Sequence, residues 1–61
     1  MTSKECEAKL LDLMNEAYRI FREYTPGGNH LSMFATDDGC CVMGYKPVDG
    51  VKNLVVNCFG R

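Results

Sequence analysis

Four cysteines and one histidine are the residues of this chain that could do redox, metal or nucleophilic chemistry. A zinc site needs four ligands and usually a pair of cysteines with a short spacer between them, whereas Cys40 and Cys41 are directly adjacent. Neighbouring residues on a strand point to opposite faces, so these two thiols do not converge on one ligand. We therefore expect no metal and no cofactor, and thiols that serve mainly as small apolar side chains.

Two of the thiols, Cys40 and Cys58, lie opposite each other in the strand register predicted below. Such a pair could form a redox-sensitive disulfide, which is a secondary expectation. Nucleophilic catalysis would need a positioned base beside a thiol, but His30, the only histidine, falls at the far end of another predicted strand. We predict that the protein is not an enzyme and has no catalytic residues.

The length and charge of the chain limit the number of domains and the kinds of partner that it can have. A chain of 61 residues buries only about 60% of its unfolded surface, so we expect one domain over residues 1–61. The composition, 46% hydrophobic and 25% charged, is that of a folded protein. The net charge of −1 is spread evenly along the chain. No segment therefore has the basic excess that drives binding to nucleic-acid phosphates.

Targeting and membrane signals are absent from the pattern. The first residues, Met-Thr-Ser-Lys-Glu, are polar and lead directly into an amphipathic segment, with no apolar region typical of a secretory signal. No apolar run approaches the roughly 18 residues that a membrane span needs. We expect a cytoplasmic protein with reduced thiols and no membrane partner.

The first part of the chain predicts one long helix, over residues 3–24. Thr2 and Glu5 have the spacing of a capping box, and apolar residues recur every three or four positions up to Tyr24. Pro26 and two glycines then end the helix. Such a helix is about 33 Å long, at 1.5 Å per residue, which exceeds a seven-residue strand. One end should therefore extend beyond the sheet and need cover, which another copy of the chain could supply.

Three β-type segments follow, over residues 30–36, 40–46 and 53–59, and they predict an antiparallel meander in the order 1-2-3. We place a two-residue turn at Asp38-Gly39, which sets Ala35 opposite Val42. A three-residue loop with Gly50 in the bulge position would connect the second and third strands. Val42 then faces Val56, and Cys40 faces Cys58. The fold class is α+β, with the helix packed on the sheet face that carries Leu54, Val56 and Cys58.

Gly44 is the residue of that face that should accommodate the helix. Because glycine has no side chain, it leaves room for an aromatic ring such as Phe21 or Tyr18.

The opposite sheet face is predicted to be unusually apolar. A sheet with one solvated face should alternate cleanly to polar residues there. This face instead carries five large apolar residues: Phe34, Met43, Tyr45, Val55 and Phe59. Five such side chains can form an apolar patch of roughly a few hundred Å², a size that marks an interaction surface. We predict a protein-interaction or regulatory module whose partner is a second copy or another protein, most simply a homodimer through this face. Pairing of the open sheet edges is another route.

The alternative function is binding of single-stranded nucleic acid. Phe34, Tyr45 and Phe59 could stack on bases, with Lys46, Lys52 and Arg61 at the rim. Two observations oppose nucleic-acid binding: positive and negative charges are nearly balanced along the chain, and three aspartates lie in the turns next to this face. The order of helix and strands is similar to the first part of double-stranded-RNA-binding domains, but the second helix and basic loop of that family are absent. No property is carried over from it.

Overall fold

The computed structural model describes all residues, 1–61, and begins with one α-helix. Helix α1 spans Ser3–Tyr24, as predicted. Its first turn is closed by the expected capping box, in which the Glu5 amide donates to Thr2 Oγ1 and the Thr2 amide donates to Glu5 Oε1, each at 3.2 Å. The amide of Thr25 still donates to the Phe21 carbonyl, but Thr25 itself is extended. The residue before a proline disfavours helical geometry, so Pro26 sets this end.

Three antiparallel strands follow in the order β1-β2-β3, so the αβββ arrangement is confirmed. Strand β1 spans His30–Thr36, β2 spans Gly39–Val48 and β3 spans Val51–Gly60. The second and third strands are longer than predicted because both extend to their hairpin turns.

The first hairpin turns one residue earlier than expected. Its two turn residues are Asp37 and Asp38, and Thr36 pairs with Gly39. The Thr36 hydroxyl accepts from the Asp38 amide at 3.2 Å, a side-chain bond that favours a turn at this place. Ala35 therefore faces Cys40, and the predicted pairing of Ala35 with Val42 is wrong. The shift is two positions, so every side chain keeps its predicted face.

The second hairpin has a tight turn, and its irregularity lies inside the strand. Asp49 and Gly50 form a two-residue loop with φ of 52° and 77°. Two positive φ values are what a type I′ turn requires, so the predicted three-residue loop is wrong. Gly44 pairs with Val56 and Tyr45 pairs with Leu54, which leaves Val55 as the extra residue of a β-bulge.

The bulge changes which residues of β3 share a face. Val56 and Cys58 lie on the face of Val42 and Gly44, as predicted, but Val42 pairs with Cys58 and not with Val56. Before the bulge the alternation is inverted. Leu54 shares the row of Tyr45, and Asn53 shares the row of Lys46, so both lie on the opposite face from the one predicted.

One aromatic ring links the helix to the sheet. Phe21 is 4% exposed and is the only buried large apolar residue. A Cβ at Gly44 would lie 2.4 Å from Phe21 Cε1, and one at Gly28 would lie 2.6 Å from Phe21 Cε2. The ring therefore lies between two glycine backbones, and the space predicted over Gly44 is occupied by Phe21.

The rest of the helix is open. Every residue from position 1 to position 16 is exposed. The chain measures 44 × 24 × 17 Å, with a radius of gyration of 13.4 Å. A compact domain of this length has a radius of gyration of about 10.5 Å. The chain is thus elongated, and the first 16 residues are all exposed, in agreement with the overhang that the helix length predicted.

Candidate interaction surfaces

The outer sheet face, the side away from α1, exposes two phenylalanines at one end. Phe34 on β1 and Phe59 on β3 both pair with Cys41 on the central strand. Antiparallel partners share a face, so the two rings flank Cys41 on the same side. Their exposed fractions are 56% and 66%. This end presents the exposed aromatic residues that the sequence predicted.

The other end of the outer face is covered by its own chain. The Tyr45 ring meets His30 edge to face, with centroids 5.4 Å apart, and Lys52 Nζ lies 4.8 Å from the Tyr45 centroid. The Tyr45 hydroxyl lies 3.7 Å from Met43 Sδ. Tyr45 and Met43 are accordingly half-buried. Of the five predicted surface residues, only Phe34 and Phe59 present large exposed rings.

Val55, the fifth predicted residue of this surface, lies elsewhere. As the extra residue of the bulge it lines an open groove between α1 and the sheet, so its predicted position on the outer face is wrong. Leu54, with 48% of its surface exposed, takes the place in the outer row beside Tyr45. The outer face is therefore still apolar, but with a different member from β3.

The groove beneath α1 is the largest apolar hollow of the molecule. Its volume is about 580 Å³, and ten of its eleven lining residues are hydrophobic. The helix contributes four residues and the sheet seven: Ala17, Ile20, Phe21, Tyr24, Leu31, Met33, Val42, Val55, Val56, Asn57 and Cys58. No residue before Ala17 lines it. The first two-thirds of the helix therefore does not cover the apolar sheet face of its own chain.

An unpartnered apolar stripe runs along α1 beside this groove. Its members, here called the helix stripe, are Cys6, Leu10, Leu13, Ala17, Ile20 and Tyr24. Leu10, Leu13, Ile20 and Tyr24 are all more than half exposed. The spacing of these positions is that of a core-facing stripe and predicts that they are buried, so this prediction is wrong for the four largest of them.

The charged side chains on one flank of α1 form ion pairs with one another. Arg19 pairs with both Glu16 and Glu23, and its Nε donates to Glu16 Oε2 at 3.0 Å. The hydrogen bond from Arg19 holds the pKa of the Glu16 carboxyl below its ordinary value, and the same contacts raise the pKa of Arg19. These exposed pairs contribute little to stability, but they fix the charge pattern beside the helix stripe.

The cysteines do not form the predicted pair. Cys40 faces Ala35 and Gly60, whereas Cys58 faces Val42, so the expectation that they lie directly opposite is wrong. They are diagonal neighbours on one face, and all four thiols are free. No group of three or more His, Cys, Asp or Glu side chains comes together.

The sequence spacing of the helix stripe is compatible with two kinds of packing. The six positions are separated alternately by four and three residues, which is the spacing of a helix-pairing seam. A helix packed on a sheet and a helix packed on another helix share most of these positions. Only the exposure of the stripe distinguishes them.

The only helix is too polar to span a lipid bilayer. Comparisons with protein-family models, curated proteins and solved structures find no match to this chain.

Proposed function

We propose that this protein is a non-catalytic protein-interaction module that works as a homodimer. The observation that carries the proposal is its excess surface. A compact monomer of 6.8 kDa exposes about 3,950 Å² by the usual scaling of area with mass. This chain exposes 4915 Å², about 960 Å² more. A standard stable interface buries about 800 Å² per partner.

The kinds of side chain that make up this additional exposed surface support the same conclusion. Four residues are buried, and just one of them is a large apolar side chain. Leucines, isoleucine and methionine on the helix and phenylalanines on the sheet remain in water. An isolated domain of this size is marginally stable even with a full core. Association would bury the missing apolar area, and it would complete the packing of a helix on the sheet.

The test is the mass of the particle in solution. Sedimentation equilibrium or light scattering at micromolar concentration should give twice the chain mass of 6.8 kDa. A particle of the single-chain mass at the highest soluble concentration would refute the proposal.

Binding of single-stranded nucleic acid is the second candidate, and the exposed pair Phe34 and Phe59 is what favours it. Exposed aromatic rings on a sheet can stack on bases. The basic rim is weaker than the sequence suggested, because Lys52 lies against Tyr45 and Lys46 extends towards Gly27 on the helix side.

This candidate is tested by titrating a fluorescent oligonucleotide at low salt. Binding that weakens with salt and is lost in a Phe34→Ser/Phe59→Ser variant would support it. No change in anisotropy at low salt would exclude it.

A further inference from the structure

The helix stripe has the geometry of a helix-pairing seam. Its residues follow one another at intervals of four, three, four, three and four positions. Apolar residues repeating every 3.5 positions on average make a seam that packs against another helix. No element of the same chain covers its first half, because residues 1–16 are all exposed. The seam is thus complete in sequence and unpartnered in the protomer.

The sizes of the side chains favour an antiparallel partner of the same sequence. An antiparallel pair centred near residue 15 sets Cys6 against Tyr24, Leu10 against Ile20, and Leu13 against Ala17. Each large residue then meets a smaller one or a similar one, which packs without gaps. A parallel pair would instead set Tyr24 against Tyr24 and leave a gap at Ala17.

Charge favours the same arrangement. In the antiparallel pair, Lys9 of one copy lies beside Glu23 of the other on the flank of the seam, and this contact occurs twice. The two Glu16 side chains meet once on the same flank, where each is already paired with Arg19 of its own helix. Opposite charges at such flanking positions select helix partners and their orientation. Glu23 is exposed and already lies beside Arg19, so a lysine from a second copy would extend an existing pair.

The position of the groove also favours an antiparallel pair. The groove lies beside the last two turns of α1, where Ala17, Ile20 and Tyr24 line it. In an antiparallel pair, the first half of the second helix runs beside those turns. Cys6 and Leu10 of the second copy would therefore lie over the uncovered sheet residues.

We propose that two copies of this chain pair antiparallel through the helix stripe, so that the first half of each α1 closes the groove of the other copy. This inference rests on the proposed homodimer and assigns its interface to the helix side, not to the outer sheet face. In this dimer, the apolar face of each sheet is covered by two helix segments: the last turns of its own α1 and the first half of the α1 of the other copy. Phe34 and Phe59 stay exposed in this dimer and remain free for a further partner.

Two leucines on α1 provide a matched test of the interface. Leu13 lies in the helix stripe and is 65% exposed, whereas Leu11 lies on the other flank and is 64% exposed. Leu13→Glu should shift the particle to the single-chain mass, with at least a hundredfold weaker association. Leu11→Glu should remain a dimer. Equal behaviour of the two variants, in either direction, would overturn the inference.

A sheet variant separates this inference from the proposed function. Phe34→Ser/Phe59→Ser should remain a dimer. If this variant dissociates while Leu13→Glu stays dimeric, the homodimer stands but its interface is the outer sheet face. If the unaltered protein is a monomer, the homodimer itself is refuted.

A cross-link tests the orientation and does not depend on a destabilising charge. Tyr24→Cys should form a covalent dimer on mild oxidation, because Cys6 of the second copy lies opposite position 24. Mass-spectrometric mapping should find a link between Cys6 and the new thiol. Leu11→Cys, the control, should give no link to Cys6. A Cys6–Cys6 link in the unaltered protein would indicate a parallel pair, and absence of the Cys6 link in Tyr24→Cys would refute the antiparallel register.

Discussion

At the scale of single residues, the fold depends on how closely one ring approaches two glycines. Phe21 fills the space above Gly44 and is enclosed from the other side by Gly28. A phenylalanine ring is rigid, and here it has a backbone on each side, so it cannot move away from an added methyl group. Only glycine fits at position 44, because this position lies in the central strand directly beneath the helix and any side chain would meet the Phe21 ring.

Gly44→Ala should therefore destabilise the protein by about 1–3 kcal/mol, the usual cost of overpacking a tight contact. Urea unfolding followed by circular dichroism measures this as a lower midpoint with an unchanged slope. Gly60→Ala is the control, since a Cβ there meets nothing within 4 Å. Similar midpoints for the two variants would contradict the close approach of Phe21.

At the scale of elements, the bulge in β3 reconciles two requirements that conflict. The tight turn at Asp49-Gly50 fixes the alternation of β3 from its first residue. The apolar residues Val56 and Cys58 must nevertheless share the face of Val42. A two-residue turn without a bulge would set Asn57 opposite Val42 and bury an amide. One extra residue, Val55, corrects the alternation halfway along the strand.

Deletion of Val55 should accordingly be tolerated, because Leu54 keeps its pairing with Tyr45 and Val56 keeps its pairing with Gly44. We expect a melting temperature within a few degrees of the unaltered protein, measured by circular dichroism. Deletion of Val42 removes the same side chain from the central strand, which pairs with β1 without any irregularity. That variant should lose its cooperative transition. Equal effects of the two deletions would show that the bulge has no such role.

At the scale of the whole molecule, the single chain is elongated and leaves apolar side chains on its helix and sheet exposed. Its helix has 22 residues, but only residues from Ala17 onward line the groove over its own sheet. The radius of gyration of 13.4 Å and the excess of exposed area both follow from this mismatch. If a second copy supplies the missing cover, the stability of the protein depends on its concentration.

The melting temperature should therefore rise with protein concentration. A hundredfold increase adds about 2.7 kcal/mol by mass action, which corresponds to about 10 °C for a dimer of this size. Thermal scans from roughly one to one hundred micromolar would show it. Leu13→Glu should show no such dependence. A melting temperature that stays constant across this range for the unaltered protein would indicate that the single chain folds alone.

The sequence by itself determined the elements and much of their arrangement. Local signals at Thr2, Glu5 and Pro26 set both ends of the helix, because capping and proline geometry act over a few residues. Alternation of apolar residues predicted three strands, and it placed Val42, Val56 and Cys58 on one face. It also predicted that Gly44 would admit a helix aromatic ring.

Only the tertiary structure decided the pairing register and which apolar residues are buried. Moving a hairpin by two positions leaves every side chain on the same face, so alternation could not distinguish Ala35 opposite Cys40 from Ala35 opposite Val42. A bulge has no strong local signal, and this one moved Val55 and Leu54 to unexpected faces. The helix stripe looked like core because periodicity records that a face is apolar, but not what covers it. Exposure in the folded chain supplies that information, since it depends on where the sheet ends beneath the helix.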